Sequence, residues 1–333
     1  MEGAFYKQAY LEQQADQIES ALNEIQVPAR VGGGVVKEDR IRYHLAPAIG
    51  LRADDLMQAM DHVSASLGGV DVRYIWEARE QTIEVAFSRG KELRLLPLMH
   101  SLDGLQAMQA VVGMEANGRP LLLDFKRKNT WGMFIAAPKG AGKSELLRAV
   151  LVSLALTSRR SEVNFIGIDL SGRELAILDA LPHTLSAVAT DASCAAELLL
   201  WICEEIEQRR FSGFSKPHLV LFIDDLNRLL QAAGEDSVGL LQMVIDGGQD
   251  VGIHVVAAYR PPLKSIESYL QRLPGFVKAT AYPHDQGKGT TFDGRFTFKV
   301  GSAASLVEVA WLDVHDLDAA VRIAQNGWRA ING

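Results

Sequence analysis

The run AAPKGAGKSELLRAV, Ala136 to Val150, places two glycines, a lysine and a serine between an apolar stretch and a helical one. Triphosphate chemistry asks for that set in that order. Main-chain N–H groups must turn inward around a β-phosphate, so Gly140 and Gly142 remove side chains where the anion comes closest. Lys143 brings positive charge to the β and γ oxygens, Ser144 a hydroxyl for Mg²⁺, and the following helix the positive end of its dipole. The pattern GxxxxGK[ST] is met at Gly142, Lys143 and Ser144 and missed at its first position, where Ala137 stands for glycine. The predicted ATP contacts are Ala137, Pro138, Lys139, Gly140, Ala141, Gly142, Lys143, Ser144 and Glu145. The alternative is a strand-to-helix turn that binds nothing; strand, loop, GKS and helix occurring together argue against it.

A second constellation lies about 80 residues further on, where HLVLFIDDLNRLL ends an apolar strand in Asp224 and Asp225. A strand so placed delivers one carboxylate to Mg²⁺, here Asp224, and its neighbour to the attacking water, here Asp225. Aspartate is one methylene shorter than the glutamate usual in the second role, and the pair reads equally as a cap for the next helix. GIHVVAAYRPP then ends in Tyr259 and Arg260. A polar residue at such a strand end is placed to sense the γ-phosphate, and tyrosine has one O–H to donate; a tyrosine packed at the sheet's rim is the competing reading. Lys143, Asp225 and Tyr259 form the predicted catalytic set.

Elements must hold these residues together. From about residue 106, the apolar runs WGMFIAA, VNFIGIDL, HLVLFIDDL and GIHVVAAY alternate with longer helical stretches, the pattern of a mainly parallel sheet covered on both faces. Before it, residues 1–105 read as a small α+β unit without concentrated chemistry. An amphipathic helix runs to about Gln26, followed by a triple-glycine turn with a short strand. A helix follows, with Asp54 or Asp55 near its start, Leu56, Met57, Met60, Val63 and Leu67 on its apolar side, and Gly68 and Gly69 at its end, and then two strands. VEVAWLDVHDLDAAVRIAQNGW closes the chain as a strand and a helix.

Bulk properties bound the function. The 333 residues carry 48% hydrophobic and 23% charged side chains, which excludes disorder and fibrous architecture. A net charge of −7 excludes a uniformly basic nucleic-acid coat, so any such contact is local. No run reaches the roughly 18–20 apolar residues of a membrane span, and the polar start has no signal-peptide core, so a cytoplasmic protein without membrane insertion is expected. Cys194 and Cys203, nine residues apart, would face opposite sides of one helix, and no zinc-site spacing occurs.

Together these motifs resemble the FtsK/SpoIIIE family of DNA translocases. The resemblance runs over most of the chain. FIGIDLSGRELAILDALPHTLSAVATD and EEIEQRRF correspond to further family segments, FIDDL to the acidic pair and GIHVVAAYRP to the strand after it. GGGVVKEDRIRYHLAPAIGLRADDLMQAMDHVSASLGGVDVRYI resembles the small domain that precedes the family motor. The resemblance implies a RecA-like P-loop NTPase after a small α+β domain, assembling as a homo-oligomeric ring, a hexamer, around double-stranded DNA. Its cofactors would be ATP and Mg²⁺, and its DNA-facing candidates are Arg260, Lys264, Arg272 and Lys278. Lys126, Arg127 and Lys128 are the densest basic run.

Four positions depart from the family pattern: Ala137, Asp225, Tyr259, and Gln249 where an arginine acting on the neighbour is expected. Arg210 and Arg228 are candidates to replace it. The long segment before the acidic pair is shortened to FSGFSKP, and no winged-helix DNA reader is expected. Two other functions compete: a protein-secretion ATPase of EccC type, and a nucleotide-binding ring scaffold that turns over little.

Overall fold

A computed structural model describes residues 5–36, 40–67, 70–77, 80–86, 93–115, 117–263, 266–282, 284–285, 290–291 and 294–326. Two compact units divide the chain, one spanning Lys7–Glu92 and the other built on Leu93–Gly333.

The first unit contains α1 (Phe5–Glu24), β1 (Ala29–Val36), β2 (Arg40–Pro47), α2 (Ala53–Ser66), β3 (Val72–Glu77) and β4 (Glu80–Ala86). Its strands form an antiparallel sheet in the order β1-β2-β4-β3. Helix α1 buries Leu11, Ala15, Ile18 and Leu22, a single stripe at three- and four-residue spacing. The three glycines do not make the expected turn. They lie within β1, where the register shifts between Gly32 and Val35. A Cβ at Gly34 would stand 2.7 Å from the Tyr43 ring and 3.2 Å from Leu11, so Gly34 makes room for an aromatic ring that is fully buried. In α2 the Asp55 carboxylate accepts the Arg52 N–H at 3.1 Å, which fixes the helix start. Leu56, Ala59, Met60 and Val63 are buried, whereas Met57, expected on that side, is exposed: it follows Leu56 directly and is turned about 100° from it. Gly68 and Gly69, the expected end signal, lie outside the described residues.

The second unit begins earlier than the sequence suggests. Leu95 N–H donates to Trp311 O, and Arg94 pairs with both Asp313 and Asp316, at 2.8 and 2.7 Å, tying the stretch after residue 93 to the chain's last helix. Its elements are α3 (Leu95–His100), β5 (Gln109–Glu115), β6 (Pro120–Asp124), β7 (Gly132–Ala136), α4 (Lys143–Thr157), β8 (Val163–Ile168), α5 (Ala192–Ser212), β9 (His218–Ile223), α6 (Leu226–Gly248), β10 (Ile253–Tyr259), α7 (Glu267–Arg272), β11 (Phe276–Ala281), the two-residue β12 (His284–Asp285) and β13 (Thr290–Thr291), β14 (Arg295–Val300), β15 (Ala303–Val309) and α8 (Val314–Asn326). Nine strands make one sheet in the order β6-β5-β15-β14-β11-β7-β10-β9-β8. The run β11-β7-β10-β9-β8 is parallel, and β14, β15, β5 and β6 extend it antiparallel. All four strands read from the apolar runs fall in the parallel part.

Alternation explains how that sheet is covered. Leu219, Leu221 and Ile223 of β9 join Leu199, Ile202 and Ile206 of α5 and Leu241 and Val244 of α6 in one apolar cluster. Val220, Phe222, Val256 and Ala258 are left for the other face, which α4 covers, buried almost all round from Leu146 to Thr157. Cys194 is exposed and Cys203 buried on α5, both free thiols. Among the described residues no helix is long and apolar enough to cross a membrane.

A buried histidine lies at the far end of the parallel strands. His254 Nδ1 is 2.8 Å from Trp131 O, which requires Nδ1–H, so Nε2 accepts from His218 Nδ1 at 3.0 Å. Burial pushes His254 down to about 3, with the Trp131 hydrogen bond pulling it up and His218 and Arg209 pushing it further down. The folded chain thus keeps His254 neutral while an unfolded chain protonates it near pH 6.5. Stability is complete above pH 6.5 and falls as pH drops below it, by up to about 1.4 kcal/mol per pH unit. In urea titrations from about pH 7.5 to about pH 5, His254→Gln is expected to lose less stability than the parent; equal losses would refute the assignment.

Candidate functional site

The register of the parallel strands brings the sequence motifs to one edge. Ala136 pairs with Tyr259 across β7 and β10, and Ile223 with Ala257 across β9 and β10. The chain therefore leaves β7, β10 and β9 at the same level, the carboxyl edge where parallel sheets bind ligands. Strand β10 lies between the phosphate-loop strand and the strand of the acidic pair, so its end at Tyr259 falls between theirs.

The loop 137–142 joins β7 to α4. Gly140 and Gly142 have φ of +80° and +89°, a left-handed backbone that side chains disfavour. Gly142 is the residue before α4, and no side chain caps that helix. The first N–H groups of a helix have no intrahelical acceptor, so the amides of Lys143, Ser144 and Glu145 are available to an anion at the positive end of the helix dipole. Ala137, at the missing first glycine, is buried, and its N–H donates to Tyr259 O at 3.1 Å.

The two motifs meet at Ser144. Its Oγ donates to Asp224 Oδ2 at 3.1 Å. Asp224 N–H in turn donates to Ile168 O of β8 at 3.0 Å. Burial pushes Asp224 up to about 8; Glu174, Asp169 and Asp225 push the same way, and Lys143 pulls it down. A hydroxyl and a carboxylate at the start of a phosphate-binding helix are oxygen donors suited to Mg²⁺. Crowded carboxylates with one lysine among them match a divalent cation carried by a polyphosphate, so these residues fit both groups.

Asp225 plays a structural part as well. It caps α6, Oδ1 accepting the Arg228 N–H at 2.9 Å, while Oδ2 accepts from Arg260 Nε at 3.1 Å. Arg260 is further fixed through its main chain, which exchanges hydrogen bonds with the Asn227 side chain at 2.7 and 2.8 Å. Its guanidinium thus lies beside Asp225 at the carboxyl edge of the parallel strands, with the side chain 42% exposed. The Tyr259 ring is buried in the apolar cluster under α5 and α6, and burial pushes its hydroxyl up to about 12. It meets the loop through its carbonyl.

The remaining basic candidates lie away from this edge. Arg272, on α7, donates from Nε to Ser268 O at 2.9 Å, and Lys278, on β11, donates from Nζ to Gln271 O. Lys264 lies outside the described residues. Gln249 follows α6 in a short 3₁₀ turn. Arg210 pairs with Glu207 at 2.8 Å, and Arg228 is exposed on α6.

Sequence reasoning overlooked the turn after β8. Asp169, fully buried, accepts hydrogen bonds from the N–H groups of Ser171, Arg173, Glu174 and Leu175 and from Ser171 Oγ, at 2.6–3.0 Å. Five donors on one carboxylate hold the turn, which delivers Glu174 to the site. Burial raises the Glu174 carboxyl above its usual range, and the charge of Arg148 and the nearby Ser144 hydroxyl oppose this. The available signal was a third acidic strand end, Asp169 after VNFIGI, followed at five residues by a glutamate.

The strand order, the left-handed glycine loop and the Ser144–Asp224 contact define the P-loop ATPase fold. Solved structures agree. The cytoplasmic domain of the Thermomonospora curvata type VII secretion ATPase EccC superposes with a TM-score of 0.57 at 20% identity, covering 70% of this chain and 34% of that one. The pCW3 conjugation coupling protein TcpA, in a monomer form with ATPγS, gives 0.54 at 15% identity, covering 93% and 99%. Both likenesses concern fold alone. The sequence pattern of the FtsK/SpoIIIE family matches residues 105–273, half of the chain, and the chain belongs to that family. Similar relatives are the DNA translocase SftA of Bacillus subtilis, 28% identical over 298 residues, and the DNA translocase FtsK of Leptospira interrogans, 25% over 300. These alignments cover 81% and 80% of this chain but only 30% and 31% of the relatives, so the chain spans about a third of their length.

The loop geometry carries its own test. A Cβ at Gly142 would meet nothing closer than 3.7 Å, so the cost of Gly142→Ala is the left-handed backbone alone. A loss of about 1–2 kcal/mol in urea unfolding is expected; an unchanged midpoint would show that the loop does not hold that conformation.

Proposed function

We propose that the chain binds and hydrolyses ATP and uses it to move double-stranded DNA through a homo-oligomeric ring, a hexamer by family likeness. The observation that carries the nucleotide part is the Ser144–Asp224 contact at the uncapped start of α4. DNA as cargo rests on family membership and on the named activity of the relatives.

In this reading residues 137–145 surround the phosphates, their amides and the Lys143 ammonium facing the β and γ oxygens. Ser144 and Asp224 would hold Mg²⁺, which would supply charge neutralisation at the phosphate oxygens. Asp225 orients water for attack on the γ-phosphorus, and a P–O bond forms as the bond to the β–γ bridging oxygen breaks, giving ADP and phosphate. To do so Asp225 must share its Oδ2 between Arg260 and the water, since Oδ1 caps α6. The Tyr259 main chain lies between the loop and the acidic pair, its carbonyl accepting the Ala137 N–H. Arg260, Arg272 and Lys278, with Lys264, are the DNA-facing cations, and a ring repeats them in every subunit. That repetition lets a chain of net charge −7 hold a polyanion through a few local contacts.

The double engagement of Asp225 also favours a second reading, a ring that binds nucleotide and turns over slowly. Steady-state ATPase with and without linear duplex DNA separates the two. Stimulation by DNA, lost in Lys143→Ala, supports the motor; tight Mg–ATP binding with little turnover supports the scaffold. Affinity for DNA should fall steeply with salt, and a salt-independent affinity would exclude a phosphate-lined pore. Asp225→Asn distinguishes cap from chemistry: asparagine caps as well as aspartate, so stability should move by less than about 1 kcal/mol while turnover falls by about 100-fold. A variant that unfolds early but turns over normally would make Asp225 a cap only.

A further inference from the structure

Under the proposed function Arg260 faces the duplex, and in the structure the same guanidinium holds Asp225, the residue assigned to the attacking water. Its Nε donates to Asp225 Oδ2 at 3.1 Å. The other oxygen, Oδ1, accepts the Arg228 N–H at 2.9 Å, so each oxygen of the carboxylate already carries a donor. A carboxylate engaged by a cation is a weaker acceptor for the proton of a water.

The fold holds Arg260 at its base and leaves its tip loose. Asn227, in the first turn of α6, accepts the Arg260 N–H on Oδ1 at 2.7 Å and donates from Nδ2 to Arg260 O at 2.8 Å. Together with the short chain from Asp225 to Asn227, these bonds close a ring that joins the start of α6 to the end of β10. That ring fixes where the arginine side chain begins. Its far end is another matter: Asp225 is 9% exposed but Arg260 42%, and the terminal nitrogens of the guanidinium make no hydrogen bond among the described residues. The side chain therefore reaches from a buried acid to solvent, with its outer nitrogens open to a phosphate, which a guanidinium binds through two N–H groups at once.

One arginine brings one charge to two claimants. A partly exposed ion pair is weak, whereas a duplex presents one negative charge per about 1.7 Å of its axis. The backbone thus outcompetes a single carboxylate for the guanidinium. We propose that Asn227 and Arg260 form a latch on Asp225: without DNA the guanidinium occupies the Asp225 oxygen that the water needs, and a duplex phosphate draws the guanidinium off and frees it. Asn227 is the positioning residue, acting through Arg260. The latch rests on the ATP and DNA reading given above and adds its regulation, an idle ring that turns over slowly and a loaded one that turns over fast, divided by one ion pair.

The test is steady-state ATPase of the full chain at saturating Mg–ATP, with and without linear duplex DNA, alongside duplex affinity at several salt concentrations. Arg260→Ala is expected to raise the rate without DNA about fivefold, the scale of one partly exposed ion pair. It should also lose most of the stimulation by DNA, leave the KM for ATP unchanged, and lower the slope of log affinity against log salt by about one. Asn227→Ala removes the anchor but no charge, so it should raise the DNA-free rate by a smaller factor at an unchanged salt slope. In the Arg260→Ala background it should add nothing, whereas a packing defect would act in both backgrounds and overturn the assignment of Asn227. An unchanged DNA-free rate in Arg260→Ala overturns the latch, as does full retention of the stimulation. Rates lowered both with and without DNA overturn it as well, since the guanidinium would then serve the nucleotide. A parent that hydrolyses ATP equally fast with and without DNA sinks the latch and leaves the ATPase reading standing; a parent that hydrolyses none in either condition removes the reading itself, and the latch with it.

Discussion

Ser144 and Asp224 are 80 residues apart in sequence and touch through one hydroxyl and one carboxylate oxygen. Most of the second unit can be read as what that contact requires. Strand β9 must end level with β7, which the pairings through β10 enforce. Residue alternation must turn Ile223 into the cluster under α5 and α6 and Asp224 to the other side, toward α4. Helix α4 must begin at the loop, which the left-handed Gly142 arranges. A one-residue slip of β9 would send Ile223 to the polar edge and a carboxylate into the apolar cluster, an error worth several kcal/mol. The apolar core thus sets the register, and the register sets the site.

Asp225 shows how one residue inherits two obligations. As the residue before α6 it has the extended backbone of a cap and accepts the Arg228 N–H. As the residue after Asp224 it sits at the edge where water would be oriented. Its remaining oxygen is held by Arg260, whose place is fixed from the other side by Asn227. The pair is partly exposed at the arginine, so it is weaker than a buried one and open to competition from a phosphate oxygen for the same guanidinium. In the proposed mechanism Arg260 would therefore couple the phosphate side of the site to Asp225.

The legible parts of this chain were those where local pattern and long-range need coincide. Runs such as HLVLFI and IHVVAAY are too apolar for any place but the middle of a covered sheet, and GKS at a strand-to-helix junction has few other uses. The triple glycine misled because a glycine run signals a turn locally, whereas here the run lies within β1 and its last member, Gly34, answers the bulk of Tyr43 on the neighbouring strand. The start of the second unit was placed too late because Arg94 finds its partners, Asp313 and Asp316, more than 200 residues away. Asp169 and Glu174 escaped for a related reason. An acid after an apolar strand looks like an ordinary end signal until the sheet order puts β8 beside β9 and the turn beside Ser144.

That crowding of acids constrains the chemistry more tightly than any single motif. Two like charges about 5 Å apart in a partly buried site cost about 3 kcal/mol, and Asp224 feels Glu174, Asp169 and Asp225 together. A site for a bare phosphate would gain by replacing them. Their cost is partly met within the fold: Asp169 by five hydrogen bonds, Glu174 by Arg148, Asp225 by Arg260 and a helix cap. Asp224 has the Ser144 hydroxyl and the field of Lys143, and its carboxyl remains the one pushed up to about 8. A divalent cation arriving with a triphosphate answers both excesses at once, bridging the acids on the strand ends to the anion on the helix. Under the proposed function such a site would favour the metal–nucleotide complex over either component, because each alone would meet charge of the wrong sign on one side of it.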